Sequence, residues 1–257
     1  MNNNPIGVFD SGIGGINVLK SLIQKFPNED FIYVADTLNC PYGVKTPLEI
    51  KNLVDRVSNY LINQKCKAIT IACNTATSQA THLFDLEEIA VVGVIYPTAS
   101  EALKDSKKIA VLATDATIKS GVYQEVLMNA NKEVFPVKCS VFVEPIERGE
   151  IDTEYSHKLV QNHLGYLKDE NIDTVILGCT HFPLFSKEIS SVFPNARLVN
   201  SGVPTSGTLY KILKKRNLLS TKSKGKVYLK TTLDANSLKE QIKIFDLNYE
   251  SIEKINI

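Results

Sequence analysis

The sequence predicts an α/β fold in which two pseudo-symmetric domains, each a mainly parallel sheet flanked by helices, face one another across a cleft that holds the functional site. Three observations predict it. Short β-branched apolar runs alternate with longer segments of helical spacing. Turn residues punctuate the ends of those runs. The first half of the chain can be laid over the second.

The apolar runs lie at 6–9, 31–35, 68–72, 91–95, 109–113, 134–137 and 174–177, with weaker strand candidates at 198–199 and 226–230. Continuous apolar runs suit strands covered on both faces. Helical spacing marks 46–63, 152–168 and 204–215. Ile6-Gly-Val-Phe-Asp-Ser11 overlays Ile109-Ala-Val-Leu-Ala-Thr114 at an offset of 103, and Ala72-Cys73-Asn74-Thr75 overlays Gly178-Cys179-Thr180-His181 at 106. Chance likeness between strand ends is the alternative. A true repeat places residues 1–97 with 208–257 in a first domain carrying Cys73, and 98–207 in a second carrying Cys179. The last stretch of chain then packs back on the first domain.

Composition removes several function classes. A net charge of +1 supplies no field to draw in nucleic acid or an anionic membrane. The basic residues at 214–216 and 222–226 read as a solvated helix end and loop. No apolar run approaches the ~20 residues of a membrane-spanning helix. The polar start of the chain lacks a leader pattern, so a cytoplasmic location is expected. Cys40, Cys66, Cys73, Cys139 and Cys179 are an odd set without a CxxC pair, which argues against a disulfide framework and a thiol redox motif. No histidine stands at zinc-like spacing from a cysteine pair, so no metal is expected.

In open parallel sheets, ligands bind beyond the C-terminal ends of strands. Four segments should sit there: Asp10-Ser-Gly-Ile-Gly-Gly15, residues 36–43, Cys73-Asn74-Thr75 and Cys179-Thr180-His181. The glycine run lacks the third glycine of a dinucleotide loop, because residue 17 is Asn17, and it lacks a Gly-Lys-Ser/Thr ending. Cys40, Cys66 and Cys139 read as small buried apolar groups. Cys73 and Cys179 differ, since each precedes residues that favour a helix start, where a thiolate is stabilised. Asp10 is a candidate proton partner for Cys73, and otherwise a helix cap. His181 is one for Cys179, and otherwise a core histidine.

A pair of thiols related by a repeat suits inversion at one carbon. Racemising an amino acid requires taking the α-proton from one face and returning a proton to the other. Two opposed groups can do this, one as thiolate base and one as thiol acid. An ordinary thiol, with a pKa near ~8.5, has both forms within reach of neutral pH.

At these residues the chain resembles the glutamate racemase family. The matching text is Gly7-Val-Phe-Asp-Ser-Gly-Ile-Gly-Gly15, Pro41-Tyr-Gly43, Ala72-Cys-Asn-Thr-Ala76, Gly93-Val-Ile95, Thr114 with Ala116-Thr-Ile118, and Gly178-Cys-Thr-His-Phe-Pro-Leu184. The resemblance covers roughly residues 6–207. It implies Cys73 and Cys179 as the acid/base pair, with Asp10, Glu147 and His181 as auxiliary groups. For Glu147, the neighbours Glu144 and Glu150 are alternatives. It further implies that Asp10, Ser11, Pro41, Tyr42, Gly43, Asn74, Thr75, Thr114, Thr117, Thr180 and His181 hold L- or D-glutamate. It implies no pyridoxal phosphate, no metal, a homodimer, and a product destined for peptidoglycan. His181 after Cys-Thr separates the chain from aspartate racemases, where Glu is typical. Asn39 stands where the family typically has Arg, Tyr96 where Glu or His is common, and Asn200 where Asp is usual. The competing readings are an aspartate racemase or related enzyme, and a binding protein that kept the fold and lost turnover.

Overall fold

The computed structural model describes residues 2–257; Met1, part of the expected first domain, lies outside them. Ten strands form two sheets. They are β1 (Ile6–Asp10), β2 (Phe31–Ala35), β3 (Ala68–Ile71), β4 (Ala90–Gly93), β5 (Lys108–Ala113), β6 (Glu133–Lys138), β7 (Thr174–Gly178), β8 (Arg197–Val199), β9 (Val227–Thr231) and β10 (Ser251–Lys254). Around them lie the helices α1 (Ile16–Lys25), α2 (Pro47–Asn63), α3 (Asn74–Thr77), α4 (Ile95–Ala102), α5 (Asp115–Ser120), α6 (Val122–Met128), α7 (Val143–Glu147), α8 (Glu154–Leu164), α9 (Ser186–Val192), α10 (Gly202–Lys215) and α11 (Ala235–Gln241).

The six-stranded sheet runs β10-β9-β2-β1-β3-β4 and the four-stranded sheet β6-β5-β7-β8. Every paired neighbour is parallel. The order β2-β1-β3-β4 is repeated as β6-β5-β7-β8, so the internal repeat is a repeat of topology. In the central strands β1, β2, β3 and β7 every residue is buried. That is why they show as unbroken apolar runs rather than alternating ones.

Helix α2 shows how local chemistry sets an element. Thr46 accepts from the Glu49 N–H, Glu49 accepts from the Thr46 N–H, and Pro47 opens the first turn. Such a cap is worth about 1 kcal/mol. Ile50, Leu53, Val54, Val57 and Leu61 then line one face and bury it against the first sheet.

Three elements depart from the sequence reading. The run expected to end at Ile95 ends at Gly93, and Ile95 already opens α4. Pro97 hides that helix, yet it sits in the first turn, where a missing N–H costs nothing. β10 went unseen because it is a half-exposed edge strand rich in polar residues. The expected domain limits at 97/98 and 207/208 fall inside α4 and α10. Helices α4 and α10 lie against each other, but α10 packs chiefly on α1 and β4, whereas α4 packs on β7, β8 and α6. We therefore propose that the division follows whole helices, with α10 belonging to the first unit and α4 to the second.

Candidate active site

Each sheet has one place where the chain's crossovers leave in opposite directions. In the first it lies between β1 and β3, and in the second between β5 and β7. Such switch points open a crevice beyond the strand ends. Asp10 ends β1 and Cys73 follows β3. Thr114 follows β5 and Cys179 follows β7. The repeat therefore delivers one thiol at each crevice. Both thiols line a single small cavity with Ser11, Pro41, Tyr42, Gly43, Asn74, Thr75, Val143, Thr114, Thr180 and His181.

The two halves touch closely here. A Cβ on Gly14 would come within 2.6 Å of Thr180 Oγ1 and 2.9 Å of the His181 backbone nitrogen. A Cβ on Gly43 would stand 2.9 Å from Thr114 Cβ. Glycine at both places lets a loop of the first unit lie directly on the second. The cavity between the thiols measures about 20 Å³, enough for about one water.

Cys73 caps α3, with its sulfur accepting from the Ala76 N–H at 3.4 Å. Its other polar neighbour is Ser11 Oγ at 3.7 Å. Burial, then the negative charge of Asp10, pushes the thiol up to about 12, against the weaker help of the Ala76 N–H and Ser11. Asp10 acts on Cys73 through charge and does not hydrogen-bond it. Its carboxylate accepts from the Gly12 N–H at 3.0 Å and from Thr180 Oγ1 at 3.1 Å, the latter across the cleft. Burial raises the Asp10 carboxyl above its ordinary range despite the nearby His181 and these donors.

Cys179 lies in a turn rather than at a helix start, since the following helical turn opens only at Phe182. Its partner is His181, with Sγ 3.6 Å from Nδ1. The other ring nitrogen, Nε2, stands 3.1 Å from Glu147 Oε1. Burial opposes the charged ring, but Cys179, Glu147 and Asp10 together outweigh it and raise His181 to about 10. The same hydrogen bond holds Glu147 below its ordinary range. Glu144 and Glu150 instead grip the exposed Arg148, so the geometry brings only Glu147 to His181.

The hydroxyls of Thr75, Thr114 and Thr117 form a closed triangle of 2.8, 2.9 and 3.1 Å that spans the cleft. The Tyr42 hydroxyl is already taken, donating to Asp36 Oδ2 at 2.5 Å, so only its ring and backbone face the cavity. At the departure from the family pattern, the Asn39 amide donates to both oxygens of Asp36.

Two residues were missed by sequence reasoning. Cys40 is no inert core group: it is half-buried, and its thiol donates to Glu147 Oε1 at 3.4 Å. A lone cysteine between Asn39 and Pro41 carries no signal of this. Tyr123 is fully buried and reaches Asn74. A tyrosine at helical spacing reads as ordinary core. Cys66 and Cys139 are buried as expected. Among the described residues, no three His, Cys, Asp or Glu side chains gather as a metal site would need, and no helix is long and apolar enough to cross a membrane.

Two thiols at paired switch points, with a histidine and two carboxylates around them, are the groups that proton exchange of the amino-acid racemase class calls for. Residues 11–204 match the model of the Asp/Glu/hydantoin racemase family. The glutamate racemase of Lysinibacillus sphaericus is 42% identical over 195 residues, 74% of each chain. The solved glutamate racemase isoform RacE1 of Bacillus anthracis superposes with a TM-score of 0.94 at 31% identity, covering 100% of this chain and 99% of that one. The Francisella tularensis glutamate racemase in complex with D-glutamate gives 0.93 at 32%, covering 100% and 98%. The chain belongs to the Asp/Glu/hydantoin racemase family, among its glutamate racemases.

Proposed function

We propose that this isomerase interconverts L-glutamate and D-glutamate by direct proton exchange at the α-carbon, without a cofactor. The observation that carries the reading is that Cys73 and Cys179, one from each half, line one small cavity. Cys179 as thiolate, steadied by the His181 imidazolium, takes the α-proton of one enantiomer. Cys73, held protonated by burial and by Asp10, returns a proton to the opposite face. Each turnover leaves the two sulfurs with exchanged roles. Asp10, whose charge is felt by both Cys73 and His181, favours the protonated form of each.

Glutamate carries two carboxylates and an ammonium. The Thr75–Thr114–Thr117 hydroxyls, the Asn74 amide, the Ser11 and Thr180 hydroxyls and the backbone of residues 41–43 supply donors and acceptors of the right kinds. The family resemblance supports a homodimer, a cytoplasmic location and delivery of D-glutamate to peptidoglycan synthesis.

The test is purified protein with L-glutamate in deuterium oxide and no added cofactor. Optical rotation should fall to zero. The new enantiomer should carry deuterium at Cα from its first appearance, while remaining substrate stays largely protiated. A strict need for pyridoxal phosphate would overturn the reading, and faster turnover of aspartate would move the substrate assignment.

A further inference from the structure

We propose that Tyr123 is a positioning residue that aims the Asn74 amide into the cavity as a donor to a substrate carboxylate. The proposal rests on the racemase reading above.

Tyr123 belongs to the second unit and Asn74 to the first. The tyrosine is fully buried, and its hydroxyl donates to Asn74 Oδ1 at 2.8 Å across the cleft. With its oxygen so engaged, Asn74 has one polar atom left, the amide nitrogen. Nδ2 is buried and has no hydrogen-bond partner among the described residues. A buried, unpaired amide N–H is costly. Asn74 is 2% exposed and lines the same cavity as both thiols. An N–H₂ kept free at that place is matched by an anionic oxygen, and a carboxylate is the group a dicarboxylic amino acid brings.

The ring gives the hydroxyl its aim. It packs with Ile95, Ala99, Val111, Ala113 and Ile176 in the second unit's core. Its Cε2 stands 3.4 Å from where a Cβ on Gly178 would lie. Tyr123 thus lies close beside the residue before Cys179 with its ring edge and bonds the residue after Cys73 with its oxygen. It ties the two thiol-bearing turns together while it orients the amide.

Tyr123→Phe keeps the ring and removes the hydroxyl. KM for both enantiomers should rise on the order of tenfold, the worth of one oriented hydrogen bond to a charged group. kcat should stay within about threefold, and the melting temperature should fall by no more than several degrees, since ring packing is kept and one buried acceptor loses its donor. Asn74→Ala should raise KM at least as much, and adding Tyr123→Phe to it should cost little more, because both changes then remove one interaction. Unchanged KM in Tyr123→Phe, or two effects that simply add, would overturn the proposal. A wild-type protein that does not racemise glutamate would instead overturn the functional reading.

Discussion

The two thiol-bearing halves share a topology and differ in what surrounds each sulfur. Cys73 caps a helix and has no basic residue against it; its neighbours are an N–H and the Ser11 hydroxyl. Cys179 has no helix behind it and instead heads a chain of groups, His181, then Glu147, then Cys40. The repeat supplied two matched positions. The sequence around each position differs, so that one sulfur meets a backbone N–H and a hydroxyl and the other an imidazole. A repeated topology therefore carries two thiols in unlike surroundings.

Removing either sulfur tests the matched part of the comparison and should have the largest effect. Cys73→Ala and Cys179→Ala should each lower racemisation by ~10³-fold or more, since each face needs its own acid or base. Both should remain folded, because the change leaves only a small cavity. Circular dichroism and a polarimetric assay check this. A variant that keeps several per cent of wild-type turnover would show its cysteine to be dispensable.

His181→Asn tests the asymmetric part, with an expected loss of ~10²–10⁴-fold. L- and D-glutamate have equal free energy in water, so kcat/KM must fall equally in both directions. The asymmetry has to appear in kcat and KM taken separately. Asp10→Asn should distort the opposite pair of constants. Identical profiles of kcat and KM for both variants in both directions would erase the distinction between the halves.

Much of this was legible in the sequence, and the limits were physical. Strands buried on both faces, such as β1 and β7, show as apolar runs because no residue faces water. Cys73 and Cys179 stood out through their neighbours and their repeat. Which of Glu144, Glu147 and Glu150 meets His181 could not be read, because it depends on how α7 is rotated against the second unit. The partners of Tyr123 and Cys40 lie 49 and 107 residues away in the chain. Nothing local marks contacts that only the closing of two domains creates.

The raised pKa of His181 gives a pH test of the same asymmetry. A group raised from 6.5 to about 10 on folding contributes stability that is fully present below 6.5 and is lost as pH rises through about 10. Chemical denaturation of wild type and His181→Asn should therefore show an advantage for wild type that shrinks across that window. The racemisation rate should fall on the same alkaline limb. An advantage that grows with pH would mean the ring is neutral at rest, and would remove the imidazolium from the mechanism.

The smallest effect expected belongs to Cys40, the outer end of the longer chain. Its thiol donates to the same oxygen of Glu147 that meets His181. That bond helps hold Glu147 below its ordinary range, after the larger effect of His181 itself. In Cys40→Ala the carboxylate loses a donor and becomes more basic, so it holds the His181 proton more tightly. The alkaline limb should move to higher pH by a fraction of a unit, with turnover changed by no more than about threefold, as suits a weak hydrogen bond. Cys40→Ser keeps a donor at that place and should restore the wild-type limb. On the other side of the cleft no such chain exists. Neither variant should therefore alter the deuterium pattern that reports which face receives solvent hydrogen. A limb that moves to lower pH in the alanine variant, or fails to return with serine, would show that Cys40 only fills space beside Gly12. The proton chain from Cys179 would then end at Glu147.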